Sequence, residues 1–123
     1  MSTKTFLVED SATIRANLVP AMRELADVEV IACVETESEA VAWLATYSGD
    51  LHLAVVDLLL GEGSGLGVAR HFRRARSQLA IVILTNYATT STRERATAAG
   101  ASAVFDKSTE LEEFFAYCAA LSR

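Results

Sequence analysis

Three carboxylates, one hydroxyl and one ammonium stand at the ends of short apolar runs in this sequence. Glu9 and Asp10 follow Phe6-Leu7-Val8, and Asp57 follows Leu53-Ala54-Val55-Val56. Thr85 follows Ile83-Leu84, and Lys107 follows Val104-Phe105-Asp106. If the runs are strands of one sheet, these five residues converge on a single shallow pocket. Carboxylates so gathered repel one another unless something neutralises them. A hard divalent cation does so through oxygen ligands, and Mg²⁺ suits a site of few carboxylates completed by waters and phosphate. An aspartate with no strong base beside it is poorly equipped for hydrolytic acid–base work. It can instead be the nucleophile that forms an aspartyl phosphate. A cation and a lysine would then screen charge on the transferring group.

Each residue also has an ordinary explanation. Asp10 could cap a helix, Glu9 could be a solvent-facing loop acid, and Asp57 could form a turn. Thr85 could cap a turn, and Lys107 could be one surface lysine among several. Asp106 is read as a surface residue without a role. The joint pattern carries the argument, and it requires a particular set of elements.

Those elements are legible in the apolar periodicity. A helix is expected from about Ser11 to Leu25, with Ile14, Leu18, Met22 and Leu25 on one face. Val28 to Val34 reads as a strand, and Thr36-Glu37-Ser38-Glu39 as a capping box opening a helix through Val41, Leu44 and Tyr47. The continuous run Leu53–Val56 fits a strand covered on both faces. The turn Gly61-Glu62-Gly63-Ser64-Gly65 leads into a helix carrying Leu66, Ala69 and Phe72. Ala80–Leu84 is the clearest strand. A helix from about Ser91 to Ala99 stops at Gly100, and Ala103–Phe105 is a fifth strand. A last helix from about Glu110 turns Leu111, Phe114, Phe115, Cys118 and Leu121 inward. Five βα units in succession predict an α/β three-layer sandwich, with a parallel sheet between helices. In such sheets ligands bind beyond the carboxyl ends of the strands.

At 123 residues the chain has the size of one domain, 1–123, and its 51% hydrophobic and 22% charged composition is globular. A formal net charge of −5 argues against an extensive nucleic-acid-binding surface. The cluster Arg70, His71, Arg73, Arg74 and Arg76 reads as the solvated end of a helix whose dipole favours cations. Cys33 and Cys118 lie in apolar stretches and read as small buried hydrophobes. No apolar run reaches membrane-spanning length and the N-terminus lacks a signal-peptide core, so a soluble protein of a reducing compartment is expected.

The ordered set Glu9-Asp10, Asp57, Thr85 and Lys107 on five βα units resembles the receiver domains of two-component response regulators. Gly65, and Gly100-Ala101-Ser102 before the fifth strand, also match, and the resemblance spans essentially the whole chain. It implies a flavodoxin-like (βα)5 fold with strand order 2-1-3-4-5. It further implies a cytoplasmic phosphorelay switch using Mg²⁺. Glu9, Asp10, Asp57 and the backbone carbonyl of Leu59 would serve the metal, with Glu9 acting directly or through a water. Asp57 would take a phosphoryl group from a phosphohistidine on a sensor histidine kinase or a histidine phosphotransfer protein. Lys107 would pair with Asp57 and then with the phosphoryl oxygens, and Thr85 would swing toward that group, pulling its loop inward. The first helix would meet the kinase. The face of the fourth helix, fifth strand and fifth helix would serve output or a homodimer; Arg93 and Arg95 on it read first as solvated charges, and pairing across a dimer is the alternative. No direct nucleic-acid or membrane contact is implied for this domain.

Four positions depart from the family pattern. Val104 stands where an aromatic residue is usual, with Phe105 one place later. Asn86 replaces a small residue and would crowd or hydrogen-bond the phosphoryl site. Ser108 replaces a proline after the lysine, and Gly61 replaces another, which would loosen the loop after Asp57. Leu59 and Tyr87 flank the expected path of attacking water and predict a long phosphoryl lifetime. Two competing readings are a degenerate receiver acting only as an interaction module, and a flavin-binding flavodoxin-like protein. The turn Glu9-Asp10-Ser11 lacks the Ser/Thr/Gly-rich phosphate loop that a flavin would need.

Overall fold

The computed structural model describes residues 2–122. Ten elements alternate along it: β1 (Thr3–Val8), α1 (Ala12–Ala26), β2 (Val28–Val34), α2 (Glu37–Thr46), β3 (Leu53–Val56), α3 (Gly65–Ala75), β4 (Ala80–Thr85), α4 (Thr90–Ala98), β5 (Ala103–Asp106) and α5 (Leu111–Leu121). The strands form one parallel sheet in the order β2-β1-β3-β4-β5. This is the α/β flavodoxin-like arrangement expected from the sequence.

Two separate cores explain the three layers. Phe6, Val8, Ala54, Val56, Ile81 and Ile83 face α2, α3 and α4, packing on Leu44, Val68, Phe72 and Ala96. Leu7, Leu53, Val55, Val82 and Leu84 face α1 and α5, packing on Leu18, Met22, Phe114 and Cys118. Side chains alternate along a strand, so a strand covered on both faces must be apolar at every position. That is why β3 is the unbroken run Leu-Ala-Val-Val, all buried.

Local signals set the helix ends. Ser11 caps α1, its Oγ accepting from the Ile14 N–H at 3.2 Å. Thr36 caps α2 by accepting from the Glu39 N–H, while the Glu39 carboxylate accepts from the Glu35 N–H rather than from Thr36 itself. Gly100 stops the chain after α4 at φ 105°, a left-handed conformation that glycine adopts without cost, and a Cβ there would also meet the Arg73 side chain at 2.8 Å.

Three expectations about packing are corrected. Leu25 is 62% exposed rather than inward, because Ala26, four residues after Met22, completes the buried stripe. Cys33 is exposed, since β2 is an edge strand and its outward positions are only partly covered; Cys118 is buried as expected. Leu111 and Leu121 at the ends of α5 lie at the boundary of the core, which Phe114 and Cys118 fill. The basic cluster is partly consumed in structure. Arg73 donates to the Gly100 and Ser77 carbonyls and to Ser102 Oγ, and Arg76 donates to the Tyr47 and Gly49 carbonyls.

Candidate functional site

Strand parity places the charged residues before any side-chain contact is considered. Leu7, Val55 and Phe105 all face the α1/α5 side of the sheet. Two residues further on, in the same alternation, come Glu9, Asp57 and Lys107. The three therefore meet just past the carboxyl ends of β1, β3 and β5, with β4 between the last two. Lys107 Nζ lies 2.8 Å from Glu9 Oε1 and 3.2 Å from Asp57 Oδ2. Glu9, expected in isolation to be solvent-facing, is only 2% exposed. Its charge is matched by Lys107 on Oε1 and by the Ser11 N–H, which donates to Oε2 at 3.1 Å.

Asp10 does not cap α1, a role that falls to Ser11. Its Oδ2 instead accepts from the Gly61 N–H at 2.9 Å, reaching across to the loop after Asp57. A proline at 61 has no N–H to give, so glycine here ties that loop down, contrary to the loosening expected. The loop's far side is held by the start of α2: the Ser64 N–H donates to Glu37 Oε1 at 2.8 Å, and Ser38 Oγ to Glu62 Oε1 at 2.8 Å. Gly65 is demanded by close approach, because a Cβ there would sit 2.2 Å from the Asp57 carbonyl oxygen.

Carboxylate oxygens of Glu9, Asp10 and Asp57 lie within 4.8 Å of one another. Two oxygens bound to one Mg²⁺ at about 2.1 Å each stand at most about 4.2 Å apart, so only a small closure is needed. Three carboxylates against one ammonium leave an excess of two negative charges, which suits a divalent cation. Burial is the main cause pushing the Asp57 carboxyl up from its ordinary 3.8 to about 6. Lys107 pulls it down, and the negative charges of Glu9 and Asp10 push it up. Asp57 is thus ionised at neutral pH, though less firmly than a surface aspartate. The cysteines offer no rival nucleophile: partial desolvation raises the Cys33 thiol even at its exposed edge position, and burial pushes the Cys118 thiol up to about 12.

Thr85 ends β4 and is buried, on the opposite parity from Leu84; its hydroxyl accepts from the Tyr87 N–H at 3.1 Å. Its carbonyl accepts from the Lys107 N–H at 2.9 Å, joining the two loops through backbone. Leu59 lies two residues past Asp57 in a backbone bridge to Ser64, and it and Tyr87 are 56% and 57% exposed. Asn86 and Ser108, two of the departures, are partners: Ser108 Oγ donates to Asn86 Oδ1 at 3.2 Å. No peptide bond among the described residues is cis. Phe105 packs edge-on against Phe114 and Tyr117 on the α5 side, so the aromatic ring does not face α4.

Asp106 has a role that sequence reasoning missed. Its Oδ1 accepts from the Ser108 and Thr109 N–H groups at 2.7 and 3.1 Å, shaping the turn that presents Lys107. The signal was available: aspartate followed by small polar residues is an Asx-turn former. Arg93 is engaged within the chain, by Ala88, Val104 and Glu110, and does not stand free for pairing across a dimer. A groove of about 340 Å³ between α1 and α5 is lined by Ile14, Leu18, Leu84, Leu111 and Phe115, and Lys107 and Asn86 also line it.

The sequence model of the response regulator receiver domain matches residues 5–119. The chain belongs to that family. Similar folds occur in a DNA-binding response regulator of the LuxR family from Staphylococcus aureus (TM-score 0.84, 19% identity, 98% of this chain and 99% of that one). The BeF3-activated DrrB receiver domain, DrrB being a Thermotoga maritima protein, gives a TM-score of 0.81 at 20% identity, covering 99% and 98%. A Burkholderia pseudomallei response regulator with a phosphorylated aspartic acid and a calcium ion gives 0.80 at 22% identity, covering 94% of this chain and 65% of that one. At these identities the likeness bears on the fold. No curated protein matches the chain by sequence. This receiver domain therefore rests its family membership on the sequence model, and the fold agrees. No helix among the described residues is long and apolar enough to cross a membrane.

Proposed function

We propose that this receiver domain is a Mg²⁺-dependent phosphoacceptor switch of a cytoplasmic phosphorelay, taking a phosphoryl group onto Asp57. The donor would be a phosphohistidine on a sensor histidine kinase or a histidine phosphotransfer protein. One observation carries the reading: a poorly solvated Asp57 carboxyl, 3.2 Å from Lys107 and beside two further carboxylates. A carboxylate oxygen of Asp57 attacks phosphorus, the P–N bond breaks, and its electron pair leaves with the donor imidazole. Asp10 and Asp57, with the Leu59 carbonyl, would hold Mg²⁺, which screens the phosphoryl charge when bound. Glu9, each of whose oxygens already accepts one bond, from Lys107 and from the Ser11 N–H, fits a role through water. Lys107 can follow the negative charge from carboxylate to phosphoryl oxygen without leaving Glu9. Thr85, whose hydroxyl accepts from the Tyr87 N–H, would donate to the phosphoryl group. The α1/α5 groove, which Lys107 also lines, would seat the donor's surface. The face of α4, β5 and α5 would carry output or a homodimer built on groups other than Arg93.

Titration calorimetry with Mg²⁺ tests the metal half of this reading. One Mg²⁺ per chain is expected at pH 8, with binding abolished in Asp57→Asn. Because Asp57 holds its proton up to about pH 6, affinity should fall as the pH drops through that value, approaching tenfold per unit below it. Undetectable Mg²⁺ binding at pH 8, or binding indifferent to Asp57→Asn, would remove the metal from the reading.

A further inference from the structure

Arg93 joins three segments through a single guanidinium. Its Nε donates to the Ala88 carbonyl at 3.1 Å, one Nη to the Val104 carbonyl at 3.0 Å, and the other to Glu110 Oε1 at 2.7 Å. Glu110 Oε1 also accepts from the Asp106 N–H at 2.9 Å. Ala88 is three residues beyond Thr85 in the loop before α4, Val104 lies in β5, and Glu110 immediately precedes α5. One guanidinium thus bridges the loop that starts at Thr85 and the strand end that presents Lys107.

The energy of an exposed ion pair is small, so stability is not the significant property here. Geometry is. A guanidinium is a rigid planar fork, and three acceptors on separate elements fix its plane; a lysine ammonium is a compact point charge that cannot span them. The Arg93 hydrogen bond is also the main cause holding the Glu110 carboxyl below its ordinary value. Val104 offers no ring on the α4 side, and Phe105 is committed to the α5 side, where it meets Phe114 and Tyr117. Movement at Thr85 therefore has no aromatic side chain to push against.

We infer that Arg93 is the positioning residue that couples the β4–α4 loop to β5 and the start of α5, carrying the switch across that face. This rests on the phosphoacceptor reading: if Thr85 moves toward a phosphoryl group on Asp57, the Ala88 carbonyl moves with its loop. Arg93 must then slide relative to Val104 and Glu110, or release one of them. Either way the displacement reaches the output face.

The test uses the isotopically labelled full chain with Mg²⁺ and beryllofluoride, read by amide chemical shifts in the wild type, Arg93→Ala, Arg93→Lys and Glu110→Gln. Wild type should respond both at residues 86–89 and at residues 104 and 111–114. Arg93→Ala should bind beryllofluoride with affinity within threefold of wild type and keep the response at 86–89. Its response at 104 and 111–114 should fall by at least half, with Arg93→Lys failing to restore it and Glu110→Gln intermediate. A purely structural Arg93 would shift the unliganded spectrum yet leave the ligand-induced differences intact. Full responses at 104 and 111–114 in Arg93→Ala would overturn the coupling alone. A wild type silent at 86–89 would overturn the phosphoacceptor reading and this inference with it.

Discussion

Replacing Asp57 with Asn should stabilise the metal-free chain at pH 8 by about 1–3 kcal/mol, raising its melting temperature by roughly 5 °C or more. Burial drives the Asp57 carboxyl up from 3.8 to about 6 in the fold, and Lys107 offsets only part of that. Below pH 3.8 the group is protonated whether the chain is folded or unfolded, so it has no effect. Between 3.8 and about 6 the folded chain holds a proton that the unfolded chain releases, and stability falls as the pH rises. Above 6 both states are ionised and the whole penalty is present. The gain from Asp57→Asn should therefore be full at pH 8 and vanish near pH 4. Lys107 keeps Glu9 as its partner in the variant, which limits the loss on that side. Added Mg²⁺ should narrow the difference by stabilising wild type only. Paired thermal melts at pH 4 and 8 measure this. A variant less stable than wild type at pH 8 would mean that the Lys107–Asp57 attraction outweighs burial.

Lys107→Met should be the most damaging substitution in the site, costing about 3–5 kcal/mol. It removes the only ammonium that faces Glu9 among the described residues and leaves that carboxylate charged at 2% exposure. The methionine keeps the apolar stem, so lost packing contributes little. If the uncompensated charge is the cause, removing it should repair the damage: Glu9→Gln combined with Lys107→Met should recover about 2 kcal/mol over Lys107→Met alone. Urea denaturation of the two single variants and the double variant gives the coupling energy. Simple additivity of the single effects would show that the two groups are not an ion pair in solution.

Much of this was legible in the sequence because it depends on local rules. An alternation of period two fixes which residues beyond a strand end share a side of the sheet, so the grouping of Glu9, Asp57 and Lys107 followed once the strands were recognised. Gly65 and Gly100 were recognisable by position, and the structure supplies the collisions that require them. What escaped has a common physical origin. Leu25 and Ala26 both continue the spacing of α1, and only the way the helix rolls on the sheet chooses between them. Cys33 looked buried because an apolar strand reads alike in the centre and at the edge of a sheet. Arg93 and Gly61 act through hydrogen bonds to carbonyl or carboxylate oxygens brought near by crossing chains, and no residue pattern encodes those. Glu9 was the sharpest surprise, since the ammonium that matches its buried charge lies 98 positions away.

The most direct trial of the account is intact-mass measurement after incubation with Mg²⁺ and a small phosphodonor, on wild type and Asp57→Asn side by side. Wild type should carry a single phosphoryl group that needs Mg²⁺, is lost in hydroxylamine as an acyl phosphate must be, and never forms on the variant. A phosphoryl group appearing on Asp57→Asn, or none on wild type from either a small donor or a panel of phosphorylated histidine kinases, would contradict it.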